Sequence, residues 1–579
     1  MLFRSIKQDP NYYLAYYHLG LLKEEDVMRY RYMIDPEEGG IIYFYEFAKE
    51  DKEKAVFYYN KVISITPDFP DVYYHLGMLY YEYNELFDMI DLLERAVKII
   101  PKDKNCHLFL GFAYYQDEQY KRAEEQFKES MKYMTPEERH IFNSIESIIT
   151  PEERMKLTTD LANYNHNAAE LWRSRDPLIL TSINERKLEH YSRVAYANLR
   201  FSDFDRGVEG WNTDQGKVYI RFGKPETMYR TRPEIGTSGD GNPRNPLNHS
   251  KEFWLYPDFE YIFEDRFLQH RYEFAWGNTP ENDYRNVFER MISVKPDYYD
   301  FIQKDNIIEI ATDITKFKGA KSSTKVNLSY AIPHDSIHFV YQDNKWKSRL
   351  NQGIFLLNGN WKKIYESSKL IQFDESEQFK LCDESYLLHQ EEFENRPGQY
   401  QLIFEIHDLE SKKHTSIRSE IDIKPFDNDE LALSNIQMAF KIEQDSTSSY
   451  YYTRDDLKIL PNPFYRFSTG EPVFIYYEIY NLKKNESGLT SYNVEYTISP
   501  DKSNINLIEK IFQRLNLFKV SGEITTSYQI EGDSETEYQY RQIGLGSFSP
   551  GDYLLTLRIT DLNANKTTNE KVQFKLEDE

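Results

Sequence analysis

The rhythm of apolar and polar positions changes along the chain. Through about residue 150 the large apolar residues recur three and four apart, as in Tyr73, Leu76 and Tyr80 and then Met89, Leu93 and Ala96, which predicts a run of amphipathic helices. Two longer helical stretches follow, roughly 152–174 and 183–200. In the second, Leu188, Tyr191, Val194, Ala195 and Leu199 form one buried stripe and leave Arg186, Lys187 and Glu189 to solvent. Past a turn at residues 210–216, Val218, Ile220 and Phe222 alternate with Lys217, Tyr219 and Arg221, the pattern of a strand ending at Gly223-Lys224-Pro225. A meander over 252–256, 259–264 and 271–275 completes an α+β segment. Beyond residue 305 the period is two: Val473, Ile475, Tyr477 and Ile479 mark a core face, while Phe474, Tyr476 and Glu478 mark a partly aromatic face suited to docking another domain.

The helical segment repeats itself. Tyr-Tyr-His-Leu-Gly at 16–20 recurs at 73–77, and Gly77/Gly111, Leu76/Leu110, Tyr80/Tyr114, Met89/Ala123 and Leu93/Phe127 are each 34 residues apart. A glycine lets the two helices of a hairpin approach, a small residue fits opposite it, and a proline such as Pro67 or Pro101 stops the second helix. With these residues in these places the segment resembles tetratricopeptide repeats. Gly20 lies 57 residues before Gly77, so an insertion is expected between residues 25 and 50, and Pro10 closes a first repeat that reads as truncated. The resemblance implies an all-α array over 1–150 with a concave peptide-binding face. Tyr17, Leu21, Tyr74, Met78, Tyr81, Leu108, Phe112 and Tyr115 would line it, making a protein or peptide the expected partner. The competing reading packs the same residues against neighbouring helices or the next domain.

Gly210-Trp211-Asn212-Thr213-Asp214, followed by Gly216-Lys217-Val218-Tyr219-Ile220-Arg221-Phe222-Gly223-Lys224-Pro225, closely resembles the bacterial GWxTD domain family. Trp172-Arg173-Ser174-Arg175-Asp176-Pro177, Asn184-Glu185 and the stretch from Tyr196 to Ser202 share the likeness, which is expected to cover about 150–300. It implies a protein often exported and often joined to repeats and β domains, and supplies no catalytic residues. Physically, Trp211 reads as a core anchor and Thr213 and Asp214 as caps of the turn that Gly210 and Gly216 bracket. A phosphate loop needs four residues between its glycines and Ser or Thr after the lysine; here there are five, then Val218. A calcium loop through Asp203, Asp205 and Asp214 would place Val208 where glycine is required.

Residues 397–409 match 550–562, 153 residues apart, each a Pro-Gly turn leading into a strand with Tyr, Leu and Ile at fixed offsets. That arrangement is familiar from immunoglobulin-like sandwiches. The expected architecture is multidomain: the repeat array at 1–150, an α+β GWxTD-type domain at 151–305, and antiparallel β-sandwiches at 306–427 and 428–579.

Composition narrows the function. Of 579 residues, 40% are hydrophobic and 16% aromatic, which excludes disordered and collagen-like classes, and a net charge of −24 disfavours nucleic acid. Residues 1–150 carry 18 Lys plus Arg against 27 Asp plus Glu, favouring a basic partner segment. No apolar run reaches the roughly 20 residues of a transmembrane helix, and the first residues lack the pattern of an export signal. Cys106 and Cys382 fall in different expected domains, so no disulfide framework is implied. Against the acidic background, residues 217–251 hold a net +4; Arg221, Lys224, Arg230, Arg232 and Arg244 form a candidate anion patch unless they pair internally with Glu260, Glu264 or Asp265. His334 and His338 have a helical ligand spacing in a strand-like context. No metal site, cofactor or catalytic residue is expected. The reading is a non-enzymatic scaffold, acting in the bacterial cell envelope or alternatively the cytoplasm. The rivals are a hydrolase-like envelope enzyme with its site in the central domain and a carbohydrate-binding protein acting through its sandwiches. A concave polar pocket near Trp211 would favour the enzyme.

Overall fold

In a computed structural model the chain separates into two compact units, Met1–Ile302 and Gln303–Glu579. The structure describes residues 2–31, 43–203, 206–231, 250–266, 271–275, 281–294, 297, 299, 307–376, 379–381, 384–426, 429–444, 452–501, 524–546 and 548–578.

The first unit opens with α1 (Leu2–Gln8), α2 (Tyr13–Arg31), α3 (Tyr43–Ile65), α4 (Asp71–Glu82), α5 (Leu86–Ile99), α6 (Lys104–Gln116) and α7 (Tyr120–Tyr133). The 34-residue period is visible in the backbone, because Asn84 (φ 58°) and Glu118 (φ 57°) take the left-handed conformation that turns α4 into α5 and α6 into α7. A Cβ on Gly20 would lie 2.4 Å from the Tyr59 ring and one on Gly111 2.7 Å from Phe127, so the partner across these close approaches is an aromatic face, not the small residue expected. The insertion lengthens α2 and α3 to 19 and 23 residues, against 12 in α4 and 14 in α5. The rest of it, 32–42, is outside the described residues.

Next come α8 (Pro136–Asn143), α9 (Pro151–Thr159), α10 (Tyr164–Ser174), α11 (Glu185–Phe201), α12 (Asp214–Phe222) and α13 (Glu281–Val294). Between α12 and α13 lies an antiparallel sheet ordered β1 (Thr227–Thr231), β2 (Ser250–Tyr256), β3 (Phe259–Asp265), β4 (Glu273–Phe274). Thr135 and Thr150 start α8 and α9 with capping boxes closed by Glu138 and Glu153. One hydrophobic core runs from Tyr17 to Ile292, so the expected boundary near residue 150 falls inside it.

Two local expectations are corrected. Residues 214–222 are helix α12, not a strand. The alternation there had no polar face behind it, since Tyr219 and Arg221 are as buried as Val218 and Ile220, and the Thr213 cap and Gly223 (φ 74°) just past the helix were the informative signals. The stripe on α11 is buried as expected, but Arg186 beside it is only 1% exposed. Arg186 bonds Asp297 (2.8 Å) and Glu189 (2.7 Å), Arg175 joins Asp297 (2.7 Å) to Glu153 (2.8 Å), and Arg193 pairs with Glu189. A helix covered by α6 on one side and α12 on another has little solvent face, so its charges are buried in pairs.

The second unit holds two pairs of sheets. In its first half β5 (Ala311–Lys318), β6 (Thr324–Pro333), β10 (Phe379–Leu381) and β11 (Glu384–Asn395) form a sheet ordered β10-β11-β6-β5. It shares a core with β7 (Val340–Gln342), β8 (Lys345–Leu357), β9 (Lys363–Asp374), β12 (Gly398–Asp408) and β13 (His414–Ile423), through Leu328 and Ile332 against Ile354 and Leu402. In the second half one sheet contains β14 (Ala432–Leu433), β15 (Gln437–Glu443), β16 (Tyr452–Arg454), β17 (Leu457–Pro461), β19 (Pro472–Tyr480) and β22 (Glu537–Gly544). The other contains β18 (Arg466–Ser468), β20 (Thr490–Pro500), β21 (Ile524–Gly532), β23 (Gly551–Asp561) and β24 (Lys566–Glu577). Val473, Ile475, Tyr477 and Ile479 all enter the core between these sheets. Among the named strands of this unit the pairing is antiparallel except that β18 runs parallel to β24, because β18 arrives from the facing sheet and not through a hairpin.

The internal repeat is structural. Asp408 and Asp561 end equivalent strands β12 and β23, and each accepts one amide two residues on (2.9 Å) and one from a distant segment, His338 or Lys483 (2.8 Å). Tyr400 and Tyr553 each donate to the carbonyl four residues upstream, at 3.1 and 2.7 Å. The aromatic face of β19 is covered within the unit: Tyr476 is buried with Phe317 of β5 and Leu457 and Ile459 of β17.

Candidate functional site

The Gly-Trp-x-Thr-Asp turn is assembled almost entirely by backbone constraints. A Cβ on Gly210 would stand 1.9 Å from the Ala197 carbonyl of α11, and one on Gly216 1.9 Å from the Gly210 carbonyl, so both positions require glycine. The Gly210 amide donates to Ser202 Oγ (2.8 Å) and the Trp211 amide to Asn198 Oδ1 (3.0 Å). Trp211 itself is buried in the core. Thr213 accepts from the Gly216 amide (3.0 Å) as N-cap of α12 and donates to the Gly210 carbonyl (2.7 Å). Asp214 Oδ2 accepts from the Phe274 amide (2.9 Å), tying the turn to β4. At the other end of α12, Arg193 donates to the Arg221 carbonyl (2.9 Å) and Tyr256 to that of Gly223 (2.9 Å).

The outer side of this turn forms the wall of a cavity of about 500 Å³. Asn212, Asp214 and Lys217 face Arg200 and Phe201 of α11, with Tyr272, Arg271 and Phe288 completing the wall and His75 contributed by α4. Beneath it, Glu252 is fully buried and accepts from Arg230 Nε (2.5 Å), Trp254 Nε1 (2.7 Å) and Gln215 Nε2 (2.9 Å). Burial alone would raise its carboxyl, but the Arg230 and Arg200 charges and these donors hold it below the usual range. A second cavity of about 240 Å³ lies beyond Trp211 and reaches His190, whose imidazole is pushed down to about 3 by burial and by the Arg186 and Arg193 charges.

The candidate peptide groove is corrected. Tyr17, Tyr74, Met78, Leu108 and Phe112 are buried, and Leu21, Tyr81 and Tyr115 are half-buried. α11 covers one end of the face, where Tyr196 packs on Tyr81 (5.6 Å) and Phe112 (5.7 Å), while Tyr17 packs on Phe69 (5.0 Å) and Tyr74 on Phe109 (5.2 Å) of the neighbouring hairpins. These contacts agree with the competing reading, in which the residues pack against neighbouring helices or the next domain.

The anion patch is also corrected. Arg221 is buried, with its guanidinium on the carbonyls of Ser147, Ile149 (both 3.1 Å) and Ser293 (3.4 Å), and Arg230 is neutralised by Glu252, not by Glu260, Glu264 or Asp265. Lys224 is exposed; Arg232 and Arg244 lie outside the described residues. His334 sits in a 3-10 turn stacked on Phe339 (4.6 Å), and the described residues contain no cluster of three His, Cys, Asp or Glu able to hold a metal. Sequence reasoning missed His75, Arg271 and Tyr272, because the cavity collects them from α4 and the β3–β4 connection. Arg200 and Phe201 did carry a signal, as part of the stretch that shares the family likeness.

Among family models, the GWxTD domain matches residues 114–236. The match starts in α6 and ends at 236, where coverage of about 150–300 was expected. No curated protein matches the chain. Among solved structures, the chain is similar to the crystal structure of MamA, at 20% identity over 24% of this chain and 85% of that one, with a TM-score of 0.15. Among the described residues no helix is long and apolar enough to cross a membrane. Residues 114–236 are a GWxTD domain, set in a unit whose core it shares with the helical hairpins before it and the strands after it.

Proposed function

We propose that the protein is a non-enzymatic interaction protein of the bacterial cell envelope, built from tetratricopeptide repeats, a GWxTD domain and two immunoglobulin-like sandwiches. Its binding site is the cavity beside the Thr213–Asp214 turn, not the concave repeat face. The observation that carries this reading is the commitment of the cavity's reactive groups to structure. Ser202, Thr213 and Asp214 each accept a backbone amide, and His75 faces Glu24 at 2.8 Å. Groups held this way position the fold and are poorly placed to attack or protonate a substrate. Cations, carboxylates and aromatic faces mixed in one concavity suit recognition of a polar peptide segment.

The test uses a displayed peptide library selected against the full chain, with Asn212→Trp as the blocking variant, since Asn212 is exposed at the cavity wall. Selected peptides are expected to lose about tenfold or more in affinity to the variant, roughly 1.4 kcal/mol. Equal affinity for both proteins contradicts the site. A hydrolase-like reading is the one alternative favoured by an observation, the existence of a polar cavity near Trp211. Turnover of chromogenic esters or glycosides that disappears in Asn212→Trp would establish it.

A further inference from the structure

The two halves of the second unit meet through the outer face of β5, β6 and β11 on one side and β15, β16, β17 and the 461–466 corner on the other. Phe317, Tyr476, Leu457 and Ile459 form one apolar cluster there, and Ala331, Leu388 and Leu460 another. Asp313 lies on β5 on the same face as Phe317 and is buried at 4% exposure. Among the described residues no cation pairs with it. Tyr465, reaching across from the second half, donates its hydroxyl to Asp313 Oδ1, while Oδ2 has no hydrogen-bond partner among the described residues. Thr315 Oγ1 and Asn327 Oδ1, which β5–β6 pairing sets opposite each other beside Asp313, are likewise without partners among the described residues.

The charged groups on the surrounding elements are engaged elsewhere. Lys325 of β6 pairs with Glu392 (3.0 Å), Arg454 of β16 with Glu478 (2.7 Å) and Glu392 (3.4 Å), and Lys441 of β15 with Glu443 (2.7 Å). Lys458 of β17 donates to Thr453 (2.6 Å), and Arg466 of β18 lies 3.8 Å from Glu577. On the contact face Asp455 accepts from Tyr476 (2.8 Å).

We propose that this contact is a proton-operated latch, closed when Asp313 is neutral and weakened when Asp313 ionises. A buried carboxylate with one oxygen unpartnered and no counter-charge is costly, whereas the neutral acid keeps the Tyr465 bond and gains a donor proton on Oδ2. Burial pushes the Asp313 carboxyl up to about 7, with the Tyr465 bond and, less, the Ile314 amide opposing the rise. In the unfolded chain an aspartate titrates near 3.9. A carboxyl raised in the folded state stabilises fully below its unfolded value; stability then declines as pH rises and levels off above about 7.

The test is thermal unfolding of the full chain between pH 5.5 and 8.0, following the transition of the strand-rich unit. For the natural chain that transition is expected to fall by roughly 5 °C. Asp313→Asn, which retains the acceptor for Tyr465, is expected to remove most of that fall and to melt higher than the natural chain at pH 8.0. Tyr465→Phe keeps the acid but removes its donor, so the decline should continue to higher pH. An Asp313→Asn protein with the same pH slope as the natural chain overturns the proposal, as does a Tyr465→Phe protein whose decline ends no higher than the natural one.

Discussion

The two units join their parts in opposite ways. In the first, the helical hairpins, α11, α12 and the sheet contribute to one core, and the ring of Tyr196 touches Tyr81 and Phe112 of the hairpins and Tyr219 of α12. In the second, each half closes its own core and the halves meet across a face that mixes aromatic rings with Asp313, Arg454, Gln390 and Gln437. A dry junction makes the parts fold as one and leaves little to adjust, whereas a polar junction between self-sufficient cores depends on charge state and can open without unfolding either side.

The largest expected effect tests the dry junction. Trp211→Ala should cost about 3–5 kcal/mol and lower the hairpins and the sheet together in a single transition, as read by denaturant unfolding of the full chain. Separate transitions for the hairpins and the sheet would break the comparison. Phe317→Ala removes a ring that lies under the Arg454 guanidinium at 3.7 Å, and should cost about 3 kcal/mol at the junction while β19 and β6 keep their own cores. Amide exchange that rises on β5 and β17 but not on β20 or β12 is the expected result.

The comparison sharpens with pH. His190 is buried, with its pKa depressed to about 3, so between there and the ordinary value near 6.5 the unfolded chain binds the extra proton. Stability of the first unit should therefore fall by roughly 2 kcal/mol between pH 6.5 and 5, opposite in direction to the Asp313 effect. His190→Gln should flatten that acid limb in a melting series. The smallest effect is local: Thr213→Ala removes the α12 cap and should cost about 1 kcal/mol by chemical unfolding, with unchanged secondary structure.

How far these features can be read in the sequence depends on how local their cause is. The 34-residue period, the β12/β23 repeat and the Val473–Ile479 core face are set by neighbours along the chain and were legible. Helix α12 was missed because burial on several sides erased its polar face, leaving Thr213 and Gly223 as the signals. Arg186 and Arg221 look like surface residues in a sequence, and their partners, Asp297 and the carbonyls of Ser147 and Ile149, lie about 70 or more positions away. The cavity, collected from segments far apart in the chain, was legible in its 200–217 wall, including Arg200, Phe201, Asn212 and Asp214, and not in His75, Arg271 or Tyr272. The burial of the aromatic stripe, by α11 at Tyr81 and Phe112 and by neighbouring hairpins at Tyr17 and Tyr74, followed from no periodicity, since such a stripe looks the same whether it faces a peptide or its own chain.

The contrast between the junctions is tested most directly by hydrogen exchange of the intact chain at pH 6.0 and 8.5, corrected for the intrinsic pH dependence of exchange. The account predicts that α11 amides open with the same free energy as the rest of the first unit at both values. Amides of β5 and β17 should open at markedly lower free energy at pH 8.5 than at pH 6.0, while β12 and β23 stay protected. Opening of β5 and β17 that does not change with pH, or α11 amides that open independently of the sheet, would contradict it.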